Sequence, residues 1–365
     1  MANCIPTSTA WIFAGPLPPP VHGQALATEH MLKFLRSVGL IVKPFDTGPG
    51  EAGEPTRLHK HWKVFTALLS DSAPSFYSAV NDNKGMLLTV ILCAAARISG
   101  KSIMLHHHSG RYVKTRKTML SLLVKASGPD ALHLVQGERI AQRMRALYSI
   151  RHIQPFSNVG LVKPQISAPN RSSRMSLGQL SNLSEAKGIR EAIDTLRLCL
   201  NNGRDVELIL AGPCSDSVAT SLLASAKSEF GERFTYMGPL YGEEKNRFFE
   251  LIDVFLFPSQ YAPETQGIVN LEALSYGKPV IGFENPCLPH DLGSDGGLIV
   301  KTNEPFAERT LDYVSNFSRT ESQKLAKRQF DKLKLEHETQ VRRLLAWHGF
   351  QTGQQRSASP SDPKR

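Results

Sequence analysis

Two glutamates, Glu264 and Glu272, stand eight positions apart in the stretch PETQGIVNLEALSYGKPVIGF (263–283), with Gly267 between them and a Gly-Lys-Pro turn behind. The preceding run VFLFPS reads as a strand that leaves its sheet through Pro258 and Ser259, and a helix starts near Gln266 or Gly267. Glu264 therefore precedes a helix N-terminus, where Gly267, Ile268 and Val269 offer backbone N–H groups that no intrahelical carbonyl can accept. Glu272 lies about one and a half turns inside. An acceptor-only carboxylate there suits a vicinal diol such as ribose. The spacing fits a nucleotide sugar laid across the helix start, with sugar, diphosphate and ribose met in order. A glycine-tipped helix that carries two acids by chance would spell the same letters, so its surroundings must decide.

Three further motifs place polar chemistry where strands end. In GPLPPPVHGQ (15–24) prolines stiffen a strand-to-helix turn, and Gly23 at the helix start removes a side chain that would keep backbone donors from a phosphate. A turn that merely connects two elements reads the same. In LHHHSGR (105–111) His106 and His108 share one face of an extended chain and His107 takes the other. Two histidines can ligate a metal, but no acidic or cysteine partner is spaced to complete a site, so no metal is expected. Either one of them hydrogen-bonds a sugar or phosphate, or the run is a set of core histidines. In LSNLSEAKGI (180–189) Lys187 and Gly188 set a cation beside free helix donors, which suits a pyrophosphate, although a surface lysine before a helix-start glycine is the plain alternative.

The elements that must hold these groups alternate strand and helix. AWIFAG, LIVKPF, SFYSAV, SIMLHHH and ALHLVQ read as strands with helical stretches between or after them. After residues 157–174, which lack apolar periodicity, the alternation restarts through MSLGQL, VELILAG, FTYMG, VFLFP, PVIGF and GLIV. This is the pattern of parallel α/β sheets, and it predicts two doubly wound domains facing a cleft. In such sheets ligands bind beyond the C-terminal strand ends. The Gly- and Pro-rich segment 46–64 reads as a long surface loop, GMLLTVILCAAARI (85–98) as a buried helix too short to span a bilayer, and 303–349 as mostly helical.

The chain has 365 residues and a net charge of +10, unevenly placed. Residues 1–165 hold 19 Lys and Arg against 8 Asp and Glu, whereas residues 166–365 hold 24 against 25. A basic half beside a neutral one suggests an anionic partner for the first half, or only a solvated basic surface. Five scattered cysteines without CxxC spacing fit free thiols in a reducing compartment, and the first twenty residues lack a basic leader, so the cytoplasm is the expected location.

In their order along the chain, PPPVHGQ, LHHHS, SNLSEAKGI, LILAGP, YMGPL and PSQYAPETQGIVNLEALSYGKPVIGF resemble the motifs of retaining glycosyltransferases with the GT-B fold, the large family 4 type (glycosyl transferases group 1). The resemblance implies a Rossmann-like acceptor domain over 1–160, a linker at 161–174 and a Rossmann-like donor domain over 175–335. It further implies a terminal helix at 336–350 packing back on the first domain, ahead of a disordered tail at 351–365. It assigns Glu264 to the hydroxyls of the transferred sugar, Gly267 to Val269 to the diphosphate and Glu272 to the ribose. Lys187 would neutralise the leaving nucleoside diphosphate, Gly23 would approach its phosphates, and His106 or His108 would line the sugar site. Two departures stand out: Asn182 occupies the place of a common diphosphate-binding arginine, and Thr265 and Gln266 replace the usual Gly-Phe, which bears on the choice of sugar.

The expected activity is retaining transfer of a sugar from a nucleotide-sugar donor to a glycan, lipid-linked or polysaccharide acceptor. No cofactor or metal is expected, and the basic half would contact an anionic membrane at its inner face. Two rivals are nucleotide-sugar epimerisation on the same scaffold and non-catalytic binding of an anion or membrane. Nucleic acid is not expected, because no aromatic-interleaved basic stripe is present.

Overall fold

The structure, a computed structural model, describes residues 10–49, 55–82, 85–165, 173–214 and 216–354. The chain divides into two compact units, residues 1–157 with 335–365 and residues 158–334. Each is built on one six-stranded sheet in which every pairing is parallel.

In the first unit the strands are β1 (Ala10–Gly15), β2 (Ile41–Asp46), β3 (Ser75–Ala79), β4 (Ser102–His106), β5 (Leu132–Val135) and β6 (His152–Pro155), in the order β2-β1-β3-β4-β5-β6. The helices are α1 (Gly23–Ser37), α2 (Arg57–Ser70), α3 (Gly85–Ile98), α4 (Arg111–Lys114), α5 (Thr118–Ser127) and α6 (Glu138–Tyr148). A sheet covered on both faces selects continuous apolar runs, which is why Trp11, Ile12, Phe13, Phe76 and Tyr77 are all buried. Phe13 and Tyr77 stack across neighbouring strands with ring centroids 4.3 Å apart.

The second unit contains β7 (Met175–Leu180), α7 (Ile189–Asn201), β8 (Val206–Ala211), α8 (Ser217–Phe230), β9 (Phe234–Tyr236), α9 (Glu244–Leu251) and β10 (Val254–Phe257). It continues through α10 (Ile268–Ser275), β11 (Val280–Phe283), α11 (Leu288–Leu292), β12 (Gly297–Val300) and α12 (Phe306–Ser315). The sheet order is β12-β11-β10-β7-β8-β9. Alternate residues of its strands enter two separate cores. Leu177, Leu208, Val254, Leu256 and Ile281 pack with Ile189, Ile193 and Leu196 of α7. Ile209, Phe255, Phe257 and Val280 pack with Phe248 and Phe249 of α9 and with Leu271 and Leu274 of α10. Helices therefore cover both faces, as a doubly wound sheet requires.

A long helix, α13 (Arg319–Gln354), starts in the second unit, where Arg319 grips Asp253 with two hydrogen bonds of 2.8 Å. Asp253 is fully buried and also accepts from the Ser176 N–H at 3.0 Å. Further along, Val341, Leu344 and Trp347 join the core of the first unit. The helix passes the expected boundary at 350 and continues through Gln354; residues 355–365, and 166–172 of the expected linker, lie outside the described residues.

The sequence reading needs correction in three places. The expected loop 46–64 is helical from Arg57, because the Thr56 side chain caps the His59 N–H and His61, Val64 and Leu68 supply a buried face. Strand β6 escaped notice because it is short and its His152 is exposed. Helix α3 spans the expected residues but is only half buried: Cys93 and Ala96 point inward, whereas Leu87, Ile91 and Ile98 are exposed.

Removing the guanidinium takes two charge-assisted hydrogen bonds from the buried Asp253 carboxylate. Arg319→Ala is expected to lower the unfolding free energy of the second unit by about 3 kcal/mol or more in urea titrations; a loss within error of zero would contradict the anchoring role.

Candidate functional site

Strand order in the second unit reverses beside β7. The chain proceeds from β7 to β8 and β9 on one side, then returns to place β10 on the other. The loops that follow β7 and β10 therefore part company at a switch point, where an open parallel sheet leaves a crevice.

These two loops are joined by the residues singled out in the sequence. After β7 the chain makes a 3-10 turn, Glu185–Lys187, then Gly188 in the left-handed conformation (φ +78°), then α7. A Cβ on Gly188 would stand 2.2 Å from the Pro258 carbonyl oxygen, so glycine is required by conformation and by space. The close approach lets the Gln260 N–H donate to the Ala186 carbonyl at 3.0 Å. It also brings Lys187 Nζ to 2.5 Å from Glu264 Oε2. Lys187 further lies 4.5 Å from the centre of the Tyr261 ring, Ser259 Oγ donates to Glu264 at 3.3 Å, and Gln179 Nε2 holds the Lys187 carbonyl at 2.8 Å. Asn182, in the same loop, is exposed, and its side chain makes no hydrogen bond among the described residues.

Helix α10 starts one residue after Gly267, with no side-chain cap. The N–H groups of Gly267, Ile268 and Val269 find no acceptor among the described residues. Beneath them Asn270 is fully buried with neither its Oδ1 nor its Nδ2 hydrogen-bonded. A Cβ on Gly267 would come within 3.0 Å of Asn270 Nδ2. Glu272 is held by Lys245 of α9, whose Nζ lies 2.5 and 2.6 Å from its two carboxylate oxygens. Each of the two glutamates is thus paired with a lysine, on either side of three unsatisfied N–H groups. Such an arrangement holds an anion at the helix start and presents two carboxylates to hydroxyls around it.

Lys245 and Asn270 were missed in the sequence. Asn270 carried a signal as the one uncharged polar residue inside the apolar run IVNLEAL, whereas the lysine 27 positions before Glu272 carried none. Gln266 has a structural role that the sequence did not show: its Oε1 accepts from the Asn158 N–H at 2.7 Å and its Nε2 donates to Asp291 at 2.7 Å, so its buried side chain pins the loop from within.

In the first unit Gly23 opens α1, and a Cβ there would meet nothing within 4 Å, so folding places no demand for glycine at this position. His22 caps the helix, accepting from the Ala25 N–H at 3.3 Å. Its charge also bears on His108. His106 and His107 are buried and His108 is half-buried. The rings of His106 and His108 lie 4.1 Å apart, and His106 Nδ1 is 3.0 Å from the Tyr77 hydroxyl. His107 faces the other way and pairs with buried His133 at 2.9 Å. Burial holds His106 and His107 well below the usual imidazole range and brings His108 and His133 down to about 3. Among the described residues no group of three or more His, Cys, Asp or Glu is placed to hold a metal ion.

Residues 167–341 match the family described as Glycosyl transferases group 1. The second unit is a group 1 glycosyltransferase domain. The chain that carries it is a glycosyltransferase. No curated protein sequence matches the chain. Among solved structures it is similar to HepE of Anabaena in complex with UDP, at 16% identity over 93% of this chain and 100% of that one, with a TM-score of 0.66. It is also similar to sucrose-phosphate synthase of Thermosynechococcus elongatus, at 15% identity over 93% and 99%, with a TM-score of 0.68. A glycosyltransferase of Rickettsia africae shares 12% identity over 93% and 97%, with a TM-score of 0.61. At these identities the likeness establishes the fold, which is GT-B.

The buried histidines carry a pH consequence. Unfolded imidazoles bind protons below about 6.5, while folded His133 does so only near 3, so the unfolded state gains protons first and stability falls as pH drops through this window. Chemical denaturation followed by circular dichroism is expected to show a loss of at least about 2 kcal/mol between pH 7 and pH 5. Equal stability at the two values would contradict a neutral buried His107–His133 pair.

Proposed function

We propose that this glycosyltransferase is a retaining enzyme that moves a sugar from a nucleotide-sugar donor to a glycan, lipid-linked or polysaccharide acceptor. The observation that carries the reading is the set of three unsatisfied N–H groups at the start of α10, flanked by Glu264 and Glu272 and joined to Lys187 through Glu264. The second unit takes the donor: the helix start receives the diphosphate, Glu272 accepts from the ribose hydroxyls, and Glu264 accepts from hydroxyls of the sugar. HepE, solved with UDP and with UDP-glucose, supports a nucleotide sugar as the donor class.

Catalysis then rests mainly on charge. As the bond to the anomeric carbon breaks, negative charge grows on the departing diphosphate. Lys187 and the helix end are placed to receive it, and they do so in the absence of the common arginine, whose place Asn182 takes. A donor phosphate oxygen takes the proton of the acceptor hydroxyl that attacks from the same side. No metal cofactor enters this scheme. The basic first unit, with Gly23 and the half-buried His108 at strand ends, takes the acceptor on the cytoplasmic side of a membrane.

The test is release of nucleoside diphosphate from a panel of UDP-, GDP- and ADP-sugars with acceptor alcohols, with the product read by proton NMR. The account predicts that the donor's anomeric configuration is kept and that Lys187→Ala lowers kcat by roughly a hundredfold with a smaller effect on KM. An inverted product, or a sugar epimerised without any acceptor, would sink it.

A further inference from the structure

In the first unit α2, α3 and α5 pack side by side along one layer. None of the three contains an aspartate or a glutamate, and together they carry Arg57, Lys60, Lys63, Arg97 and Lys125. Asp71 pairs with Lys43 and Asp82 with Ser109 and Arg111, while Asp46 holds Lys60 of α2 and Asp130 is exposed just beyond α5.

The outward sides of these helices carry apolar side chains beside exposed Arg57, His59, Lys63, Arg97 and Lys125. On α2 they expose Leu58, Trp62 at 59% and Leu69, with half-buried Phe65 stacked on Trp62 at 5.4 Å. On α3 they expose Leu87, Ile91 and Ile98, the last at 83%, and on α5 Met119 and Leu122. Positions 58, 62, 65 and 69 repeat the spacing of 87, 91, 94 and 98, so each helix presents a straight stripe along its length. At the ends of α3 and α5 a cavity of about 400 Å³ is lined by Arg97, Lys125, Arg151 and buried His133. Exposed apolar side chains on a folded monomer are normally scattered, and a continuous apolar face marks a docking surface.

Charge selects the occupant. A second copy of the chain would bring the same cationic face against itself. A polyelectrolyte such as nucleic acid has no use for the exposed aliphatic side chains of α3 and α5. An anionic bilayer offers both complements, phosphates at its surface and hydrocarbon just beneath, and tryptophan favours that boundary. We propose that the α2–α3–α5 face docks the first unit onto an anionic phospholipid bilayer, with the Arg97–Lys125–Arg151 cavity receiving lipid phosphate. Among the described residues no helix is long and apolar enough to cross a membrane, so the contact is with the surface.

Binding to vesicles needs no nucleotide sugar, which keeps this proposal separate from the donor reading. The experiment is sedimentation of the full chain with vesicles of phosphatidylcholine alone or with one third phosphatidylglycerol, with tryptophan emission recorded alongside. The expected result is binding to the anionic vesicles only, with a blue shift from Trp62. Lys63→Ala is expected to weaken binding roughly fivefold. Ile91→Glu is expected to weaken it about tenfold or more, since it sets a charge where an aliphatic group enters the interface. Both residues are exposed, so circular dichroism should report an unchanged fold. Equal binding to neutral vesicles, no binding at all, or variants that bind like the wild type would overturn the proposal. So would an Ile91→Glu variant that abolishes a dimer seen by light scattering.

Discussion

The ion pair between Lys187 and Glu264 closes the loop after β7 onto the loop after β10 at the one place in the second sheet where strand order reverses. It forms because Gly188 has no side chain to meet the Pro258 carbonyl. A methyl group there would push the loops apart and carry Lys187 away with them. The site thus depends on a steric vacancy before it depends on any charge, and the charges then occupy the geometry that the vacancy permits.

The electrostatics of this site are those of a place prepared for an anion. Lys187 and Glu264 are both largely buried, and so are Lys245 and Glu272. A partly desolvated lysine that already holds a carboxylate loses little when it exchanges that partner for a phosphate, since much of the dehydration has been completed in folding. On the proposed reading, Glu264, released, is then free to accept from hydroxyls of the donor sugar. Below them the unpartnered side chain of Asn270 and the open N–H groups of α10 leave polar capacity that the protein itself does not use. Buried polar groups are rarely left unsatisfied without a functional reason.

Much of this was legible in the letters. The strands of the second unit are apolar runs bounded by Gly and Pro, and the helix start near Gly267 follows from a strand exit through Pro258. The Glu264–Glu272 spacing needs only helix geometry to read. What escaped were relations across the fold. Lys245 meets Glu272 because α9 and α10 lie over the same sheet face, which no local pattern encodes. Gln266 reads in the sequence as a departure bearing on the choice of sugar, and its bonds to Asn158 and Asp291 appear only in the fold. In the first unit, the Gly- and Pro-rich letters before Thr56 obscured the cap that starts α2. The histidine run gave its alternation, but not the burial that keeps His106 and His107 neutral.

Calorimetric titration of UDP, GDP and ADP into the full chain and into Glu272→Ala bears most directly on the claim that the α10 start is a nucleotide-sugar site. The account predicts that one nucleoside diphosphate binds the wild type and that Glu272→Ala weakens it by tenfold or more, in keeping with loss of a charge-assisted hydrogen bond of about 1.5–3 kcal/mol, while the variant remains folded. Undiminished affinity in a folded Glu272→Ala, or no affinity of the wild type for any of the three, would contradict it.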